Sequence, residues 1–318
     1  MEMRKDGDGI PFVMWGDNKI QLETKPIDDP AILDRAKEEL RETPEVVEQA
    51  LGELRKLLKG DPSLYIPVDR DDFLLKFLRP CKFYADSAFK RIQAYYKFRR
   101  SHAEYCKDLV PSATRNTFEN AVVSILSPRD QHGRRIMLIE AGEKWDPRQV
   151  PLTDVFRGTQ MGLEGAMKEP ATQICGVIVI FDMKGLSLSH VMQFTPSYAK
   201  MVIEWIQDCV PMRLKAVHIV NQPYIFNMLF ALFKPFMREK LRSRIHLHGT
   251  DQQSLLSHVD AAALRKRHGG DLPEPEIPGE VLWKMLHHYE NDFQFLLNFF
   301  CFHGHFSVHV GTFFYENE

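Results

Sequence analysis

Cysteine is scarce in this chain and follows no pattern. Five cysteines occur among 318 residues, Cys81, Cys106, Cys175, Cys209 and Cys301, with no two in Cys-x-x-Cys spacing. An odd, scattered set builds neither a disulfide framework nor a structural zinc site, and it reads as the reduced thiols of a cytosolic protein. Long hydrophobic runs are absent as well. The greasiest stretches, 226–233 and 295–302, are short and interrupted, below the roughly 18 consecutive apolar residues that span a bilayer. The first residues, MEMRKDGDGIPFVMW, hold charge but no apolar core of the kind a signal peptide needs. Neither sign of charge dominates. Lysine and arginine number 41 against 43 aspartates and glutamates, a net charge of −2, which argues against a broad nucleic-acid-binding surface and leaves any anion site to local clustering.

Enzyme motifs are missing too. There is no GxSxG elbow and no GxxxxGK[ST] loop. The glycines Gly158, Gly162 and Gly165 in RGTQMGLEG lack GxGxxG spacing and fall inside a helical pattern with no strand immediately before it. His303, His305 and His309 alternate along CFHGHFSVHV, so a strand there would put them on one face and a metal could be approached. Exposed or structural histidines account for them as well. His218 lies on a buried-looking strand, where a hydrogen-bonded core histidine is the expectation. No nucleophile, base and orienting acid assemble at legible spacing. The expectation is a protein that is not an enzyme, with no cofactor and no metal.

What the chain does have is 44% hydrophobic and 26% charged residues, the content of a soluble globular protein, in a length that suits one large domain or a small helical domain plus a larger one. Residues 1–30 are rich in Gly, Asp and Pro without sustained periodicity and predict a flexible or loosely packed arm. Residues 31–108 are helical in pattern, with Gly60 a C-terminal stop. DDFLLKFLR and DSAFKRIQAYYKFRR make two further helices around a turn at Phe83 and Tyr84, the second capped by Asp86 or Ser87. From about Pro111 the grammar becomes helices alternating with short apolar strands. VVSILSPRDQHGRRIMLIEAG reads as a hairpin turning at Asp130 and Gly133. GVIVIFDMKG and KAVHIVNQP read as strands buried on both faces of a mostly parallel sheet, TDVFRGTQMGLEGAMKEP and TPSYAKMVIEWIQDCVP as helices, and RIHLHG as a further strand. Such alternation predicts an α/β layered domain over 111–279, with a C-terminal tail at 280–318.

One stretch changes character halfway along. Within 221–249, Phe226, Leu229, Phe233 and Met237 recur every three or four residues and share a helical face, whereas Lys234, Arg238, Lys240, Arg242 and Arg244 follow against the single acid Glu239. An apolar face joined to a basic end suits a lid over a greasy pocket that meets an anionic surface.

The motifs DRDDFLLKFLRPCKFYADSAF, DQHGRRIMLIEAGEKWDP, EPATQICGVIVIFDMKGLSLSH, VPMRLKAVHIVNQP, FKPFMREKLRSRIHLHG and HGGDLPEP run in order over 69–275. Together they resemble the CRAL-TRIO (Sec14-like) lipid-binding family, in particular its tocopherol-transfer, retinaldehyde-binding and clavesin group. The resemblance implies an N-terminal all-helical bundle followed by an α/β lipid-binding domain with a mobile lid helix, and it accounts for His246 and His248 as structural members of the RI-x-x-HG motif. It implies intracellular binding and transfer of one hydrophobic ligand, a tocopherol, retinoid or similar ring-bearing lipid, with exchange at phosphoinositide-containing membranes. A phosphoinositide-binding trafficking adaptor of the clavesin kind is the alternative. Either would be cytoplasmic and transiently bound to endosomal or other phosphoinositide-rich membranes.

Carried onto this chain, the resemblance lines the pocket with Phe156, Thr159, Leu163, Val177, Phe181, Phe194, Val202, Trp205, Ile206, Val210, Leu214 and Val217. Thr159 is the polar member that could orient a ligand hydroxyl or carbonyl, and the bulk of Phe181, Phe194 and Trp205 suggests a rigid or ringed lipid. The implied headgroup cleft comprises Arg79, Arg213, Lys215, Lys240 and Arg244, and the last two share a face if the helix continues that far. Two departures bear on it. FLRARKF here reads FLRPCKF, so Pro80 and Cys81 replace Ala and Arg, and the LP-x-x-YGG element reads LRKRHGG at 264–270, adding three basic residues that could supply replacement charge or decorate a surface.

Overall fold

The computed structural model describes residues 2–16, 18–273 and 277–299, so His303, His305 and His309 lie outside the described residues. Helices fill the first third beyond the arm. Helix α1 (Pro30–Leu40) starts where the Asp29 side chain accepts the Ala31 amide with Pro30 in the first turn. It ends at Arg41, whose φ of 66° is left-handed. Helix α2 (Pro44–Lys59) restarts at once because Thr43 accepts the Val46 amide, Pro44 needs no amide partner, and Gly60 stops it. Helix α3 (Asp71–Leu78) leads through a 3-10 turn, Arg79–Cys81, into α4 (Ala85–Ser101). Neither Asp86 nor Ser87 caps α4. Tyr84 occupies that position without a side-chain hydrogen bond, because left-handed Lys82 and Phe83 end the turn earlier.

The first residues depart from the expected loose arm. Strands β1 (Arg4–Lys5), β2 (Pro11–Trp15) and β3 (Asn18–Gln21) form an antiparallel sheet. Its Val13 and Ile20, with Leu22, bury against Val281 and Met285 of helix α9 (Gly279–His288). Glu23 then ion-pairs with Arg129 at 2.6 Å and Arg135 at 3.1 Å.

The main sheet has the order β4-β5-β6-β7-β8, from β4 (Val123–Arg129), β5 (Arg135–Glu140), β6 (Val177–Asp182), β7 (Leu214–Val220) and β8 (Ile245–Gly249). The β4–β5 pair is the expected hairpin and the remaining pairs are parallel. Period-two alternation divides its side chains. Ile136, Leu138, Ile178, Ile180, Ala216 and Val220 pack on Leu255, Val259 and Leu264, whereas Met137, Ile139, Val179, Phe181, Val217 and Ile219 face the opposite layer.

That layer contains helix α5 (Leu152–Ala166), α6 (Pro170–Cys175) and α7 (Pro196–Glu204). The glycines of α5 permit close approach rather than phosphate binding. A Cβ at Gly158 would lie 2.6 Å from the Thr117 side chain, one at Gly162 would lie 3.0 Å from Met137 Cε, and one at Gly165 would collide with Leu286. The helical part is fastened to the α/β part by buried Glu164, which pairs with Lys76 at 3.2 Å and accepts the Tyr95 hydroxyl at 2.6 Å. Helix α10 (Glu290–Asn298) closes the described chain.

Candidate functional site

Between the sheet and its cover lies a cavity of about 210 Å³. Its floor is β5, β6 and β7, its sides are α5 and α7, and its roof is helix α8 (Phe226–Phe233) with Met237, Leu241 and Ile245. The few polar groups on its wall are already engaged or neutral. Thr159 Oγ1 donates to Val155 O at 2.8 Å and Trp145 Nε1 to Val150 O at 2.8 Å. Burial, with Tyr105 nearby, pushes the Tyr198 phenol far above its usual range, so it stays uncharged. No charged side chain lines the space. Such a lining accepts hydrocarbon and rejects ions.

Each expected pocket residue lines this cavity except Val177 and Val210. Those two are buried in the core beyond its wall, 0% and 3% exposed. Val177 shares the face of Val179 and Phe181 but sits at the first position of β6, where the chain is closed over. Several lining residues went unnamed in the sequence reading, among them Trp145, Tyr198, Met212 and Phe230. Tyr198 was discoverable, because it precedes Val202 by four on α7 and so shares its face. Helix α7 does not run through to Val210 as one regular helix. It passes at Trp205–Cys209 into a π-helical turn, a local widening of the kind often found at functional sites, and this turn brings both Trp205 and Ile206 to the cavity.

The roof differs from the expectation in its second half. Phe226, Leu229, Phe233 and Met237 all line the cavity, and the Phe233 ring meets Phe194 edge-on at 5.9 Å. The helix nevertheless stops at Phe233. Pro235 sits in a 3-10 turn, Lys234–Phe236, Met237 is extended, and helix resumes only over Glu239–Arg242. Arg244 lies beyond that piece, so Lys240 and Arg244 do not share a helical face.

Of the five basic residues expected for a headgroup site, four are already partnered. Arg79 pairs with Glu42 at 2.7 Å and bonds Gln173. Arg213 bonds Ile174 O and pairs with Glu39, and Lys215 reaches the same Glu39 oxygen at 2.9 Å. Arg244 bonds Leu214 O, and Lys240 is exposed on its short helix. Burial works to raise the Glu39 carboxyl, but hydrogen bonds from Lys215 and Arg213 outweigh it and hold the group at about 2. Burial and the nearby Arg213 depress both Lys215 and Arg244, although Glu39 opposes the shift at Lys215. Arg213, Lys215 and Arg244 thus lie close enough to act on one another.

Two of the three basic residues added in 264–270 are taken up elsewhere and do not replace the arginine lost at Cys81. Arg265 and Arg267 both pair with the buried Glu140, Arg265 at 3.2 Å, and His268 bonds Asp182 at 2.9 Å. His218 is a core histidine, 1% exposed and bonded to His248 at 2.9 Å, while His248 also bonds Ser254 at 2.8 Å. Among the described residues no group of histidine, cysteine or acid side chains could hold a metal ion, and no helix is long and apolar enough to cross a membrane.

Comparison with known proteins matches the CRAL/TRIO domain to residues 119–270. The human protein called alpha-tocopherol transfer protein-like is 37% identical over 244 residues, covering 76% of this chain and 71% of that protein. Rat clavesin-1 is 33% identical over 246 residues, covering 77% of this chain and 69% of the relative. With the sheet, the roofed apolar cavity and these relatives in agreement, the chain belongs to the CRAL-TRIO family of lipid-binding proteins.

Proposed function

We propose that the protein carries one hydrophobic, ring-bearing lipid in the cavity beneath α8 and exchanges it at membranes that display phosphorylated headgroups. The observation that carries this reading is the charge-free cavity roofed by an apolar helix. A lipid moving there from water gains roughly 25 cal/mol for each Å² of apolar surface buried. The same term makes escape through water slow, and an opened roof that meets acyl chains instead removes the barrier. At about 210 Å³ the cavity is below the roughly 300–1,000 Å³ of ordinary ligand pockets, so taking up a whole lipid requires the roof to move. The flat rings of Phe181, Phe194 and Trp205 suit a ringed cargo, and the relative named for alpha-tocopherol transfer points to the same class.

A membrane-facing surface supports the exchange step. Tyr224, 90% exposed, and Met228 stand on or beside α8, and Met192 and Leu188 lie on the short helix Leu188–Val191 and the residue after it, which packs against α8. Exposed apolar groups around a roof suit insertion among lipids. A phosphoinositide-dependent adaptor is the second reading, favoured by the small cavity and the cation-rich cleft, and clavesin-1 is among the relatives.

Organic extraction and mass spectrometry of the protein purified from its native cells separate the two. One ring-bearing lipid near one per chain is the expected result. An empty or mixed cavity in well-folded protein would overturn the carrier reading and leave the adaptor.

A further inference from the structure

We propose that His218, His246, His248 and His258 form an acid-released latch that holds the edge strand β8 on β7, and that acidification frees the strand on which the roof of the cavity ends. The latch stands on the geometry of the rings, and its effect on cargo rests on the carrier reading above.

Strand β8 is the last of the sheet and pairs within it with β7 alone. Its first residue, Ile245, lines the cavity together with Met237 and Leu241 of the roof, so whatever holds β8 also anchors the roof's trailing end. On the other face of the two strands, by period-two alternation, four imidazoles are in contact. His218 and His246 are register partners, and their rings stack 5.2 Å apart at 20°. His218 Nδ1 lies 2.9 Å from His248 Nε2, and His248 Nδ1 lies 2.8 Å from Ser254 Oγ. His258 closes the group, its ring centroid 4.5 Å from that of His246 and 5.3 Å from that of His218. His218 and His248 are buried, whereas His258 is exposed.

Two neutral imidazoles share one proton between facing nitrogens, one ring donating and the other accepting. When both rings are fully protonated, N–H faces N–H and that bond is lost. Little nearby offsets the added charge. From the β4–β5 turn, the charged side chain acting on His218 is Arg134, itself 3.7 Å from Asp130. From β6, the apolar Ile180 stands in register with His218. Asp251, which caps the short helix Gln252–Leu256, acts on His248, but more weakly than burial and the rings of His258 and His246. Burial first, then the neighbouring rings, hold His218 at about 3 against an ordinary 6.5. Burial followed by neighbouring rings lowers His246 and His248 as well. Histidines that the fold keeps neutral stabilise it above their unfolded value, and they withdraw that contribution as pH falls from about 6.5 toward 3.

The test is hydrogen–deuterium exchange of the full chain at about pH 7.5 and about pH 5.5, corrected for the intrinsic pH dependence of amide exchange. A ring held near 3 in the closed strand and near 6.5 in the open one favours opening about tenfold at the lower pH. Opening of 245–249 should therefore rise about tenfold through His218 alone, and further through His248, while β5 and β6 keep their protection. His218→Gln should remove that tenfold response. His246→Gln with His258→Gln, at the outer end of the cluster where folding is least at risk, should weaken the response with His218 in place. Thermal melts at both pH values establish that each variant is folded. Retention of co-purifying lipid through gel filtration at the two pH values runs beside the exchange, and lipid lost by the wild type only at the lower pH ties the latch to release. A pH response identical in every folded variant overturns the latch, as does an acid response in which β5 and β6 open together with β8. Opening of β8 while lipid stays bound overturns its link to the roof. Failure of the carrier reading alone shows differently, as a chain that holds no lipid at either pH and still opens β8 in acid.

Discussion

The cavity lies within the α/β part, the basic residues straddle it and the helical part, and the two are built on opposite rules. The cavity wall is free of charge, and its few polar groups are spent on neighbouring carbonyls or kept neutral. The cleft is all charge, and its buried cations are already answered by Glu39, Glu42 or a main-chain carbonyl. One site is preformed but small, and admitting a ligand means enlarging it. The other is a set of cations that Glu39, Glu42 and main-chain carbonyls already partner. On the function proposed above, lipid uptake depends on packing and headgroup capture on electrostatics, so the two should respond to different perturbations.

The largest effect expected from breaking this separation is at the seam between the helical and α/β parts. Glu164→Ala leaves Lys76 buried without its partner, and urea denaturation should register a loss of about 3 kcal/mol. Glu39→Ala, a half-exposed pair, should cost under about 1 kcal/mol in the same assay. Equal losses would erase the distinction between a structural ion pair and a displaceable one.

Next comes Val217→Asp, which puts a charge on the dry wall. It should remove co-purifying lipid and lower stability by about 2 kcal/mol, while vesicle binding through the cleft persists. Loss of both activities in a folded variant would mean that the sites are not independent.

Acid should act at the end of β6 that is remote from the basic residues. Burial would raise Asp182, but hydrogen bonds from His268, Asn221 and the Lys184 amide bring it down to about 2 from 3.8. A depressed carboxylate stabilises the fold above its unfolded value and loses that contribution as pH falls from about 4 toward 2. Asp182→Asn should therefore be less stable than wild type by about 2 kcal/mol at neutral pH, and the gap should close across that window. A gap independent of pH would contradict the assignment.

The smallest effect on stability is expected for Lys240→Ala with Arg244→Ala, within about 0.5 kcal/mol for the exposed Lys240 and its neighbour. Lipid transfer to phosphoinositide vesicles should nevertheless slow while retention in the absence of vesicles is unchanged. Equal transfer rates would remove the cleft from the exchange step.

The sequence disclosed the cavity far better than the cleft, for a physical reason. Apolar linings obey local periods, so GVIVIFD and the spacing of Phe226, Leu229 and Phe233 announce their faces within a few residues. The third strand obeys such a period too, since Ile20 and Leu22 alternate with Lys19, Gln21 and Glu23, but Val13 sits in the unbroken apolar run Phe12–Trp15 and the glycines, aspartates and prolines around it give that stretch the look of a loose arm. The break at Pro235 was visible in KPF and was overridden by a hydrophobic period that continued to Met237 in spacing though not in helix. Counter-ions obey no period. Glu39 and Lys215 are 176 residues apart, and nothing local in either segment predicts their meeting. The basic residues of 264–270 have the same lesson, because Glu140 lies on a distant strand and takes up two of them.

The three glycines of α5 have a mechanical consequence. With no side chains at Gly158, Gly162 and Gly165, the helix is seated against Thr117, Met137 and Leu286 at distances that leave nothing to compress. One wall of the cavity is thereby made rigid. The roof is a single eight-residue helix ended by a proline-containing turn, which is far more compliant. An enclosure with one stiff side and one soft side swells in a single direction. On the carrier function proposed above, a growing cargo would displace the soft side toward the surface that bears Tyr224 and Met228.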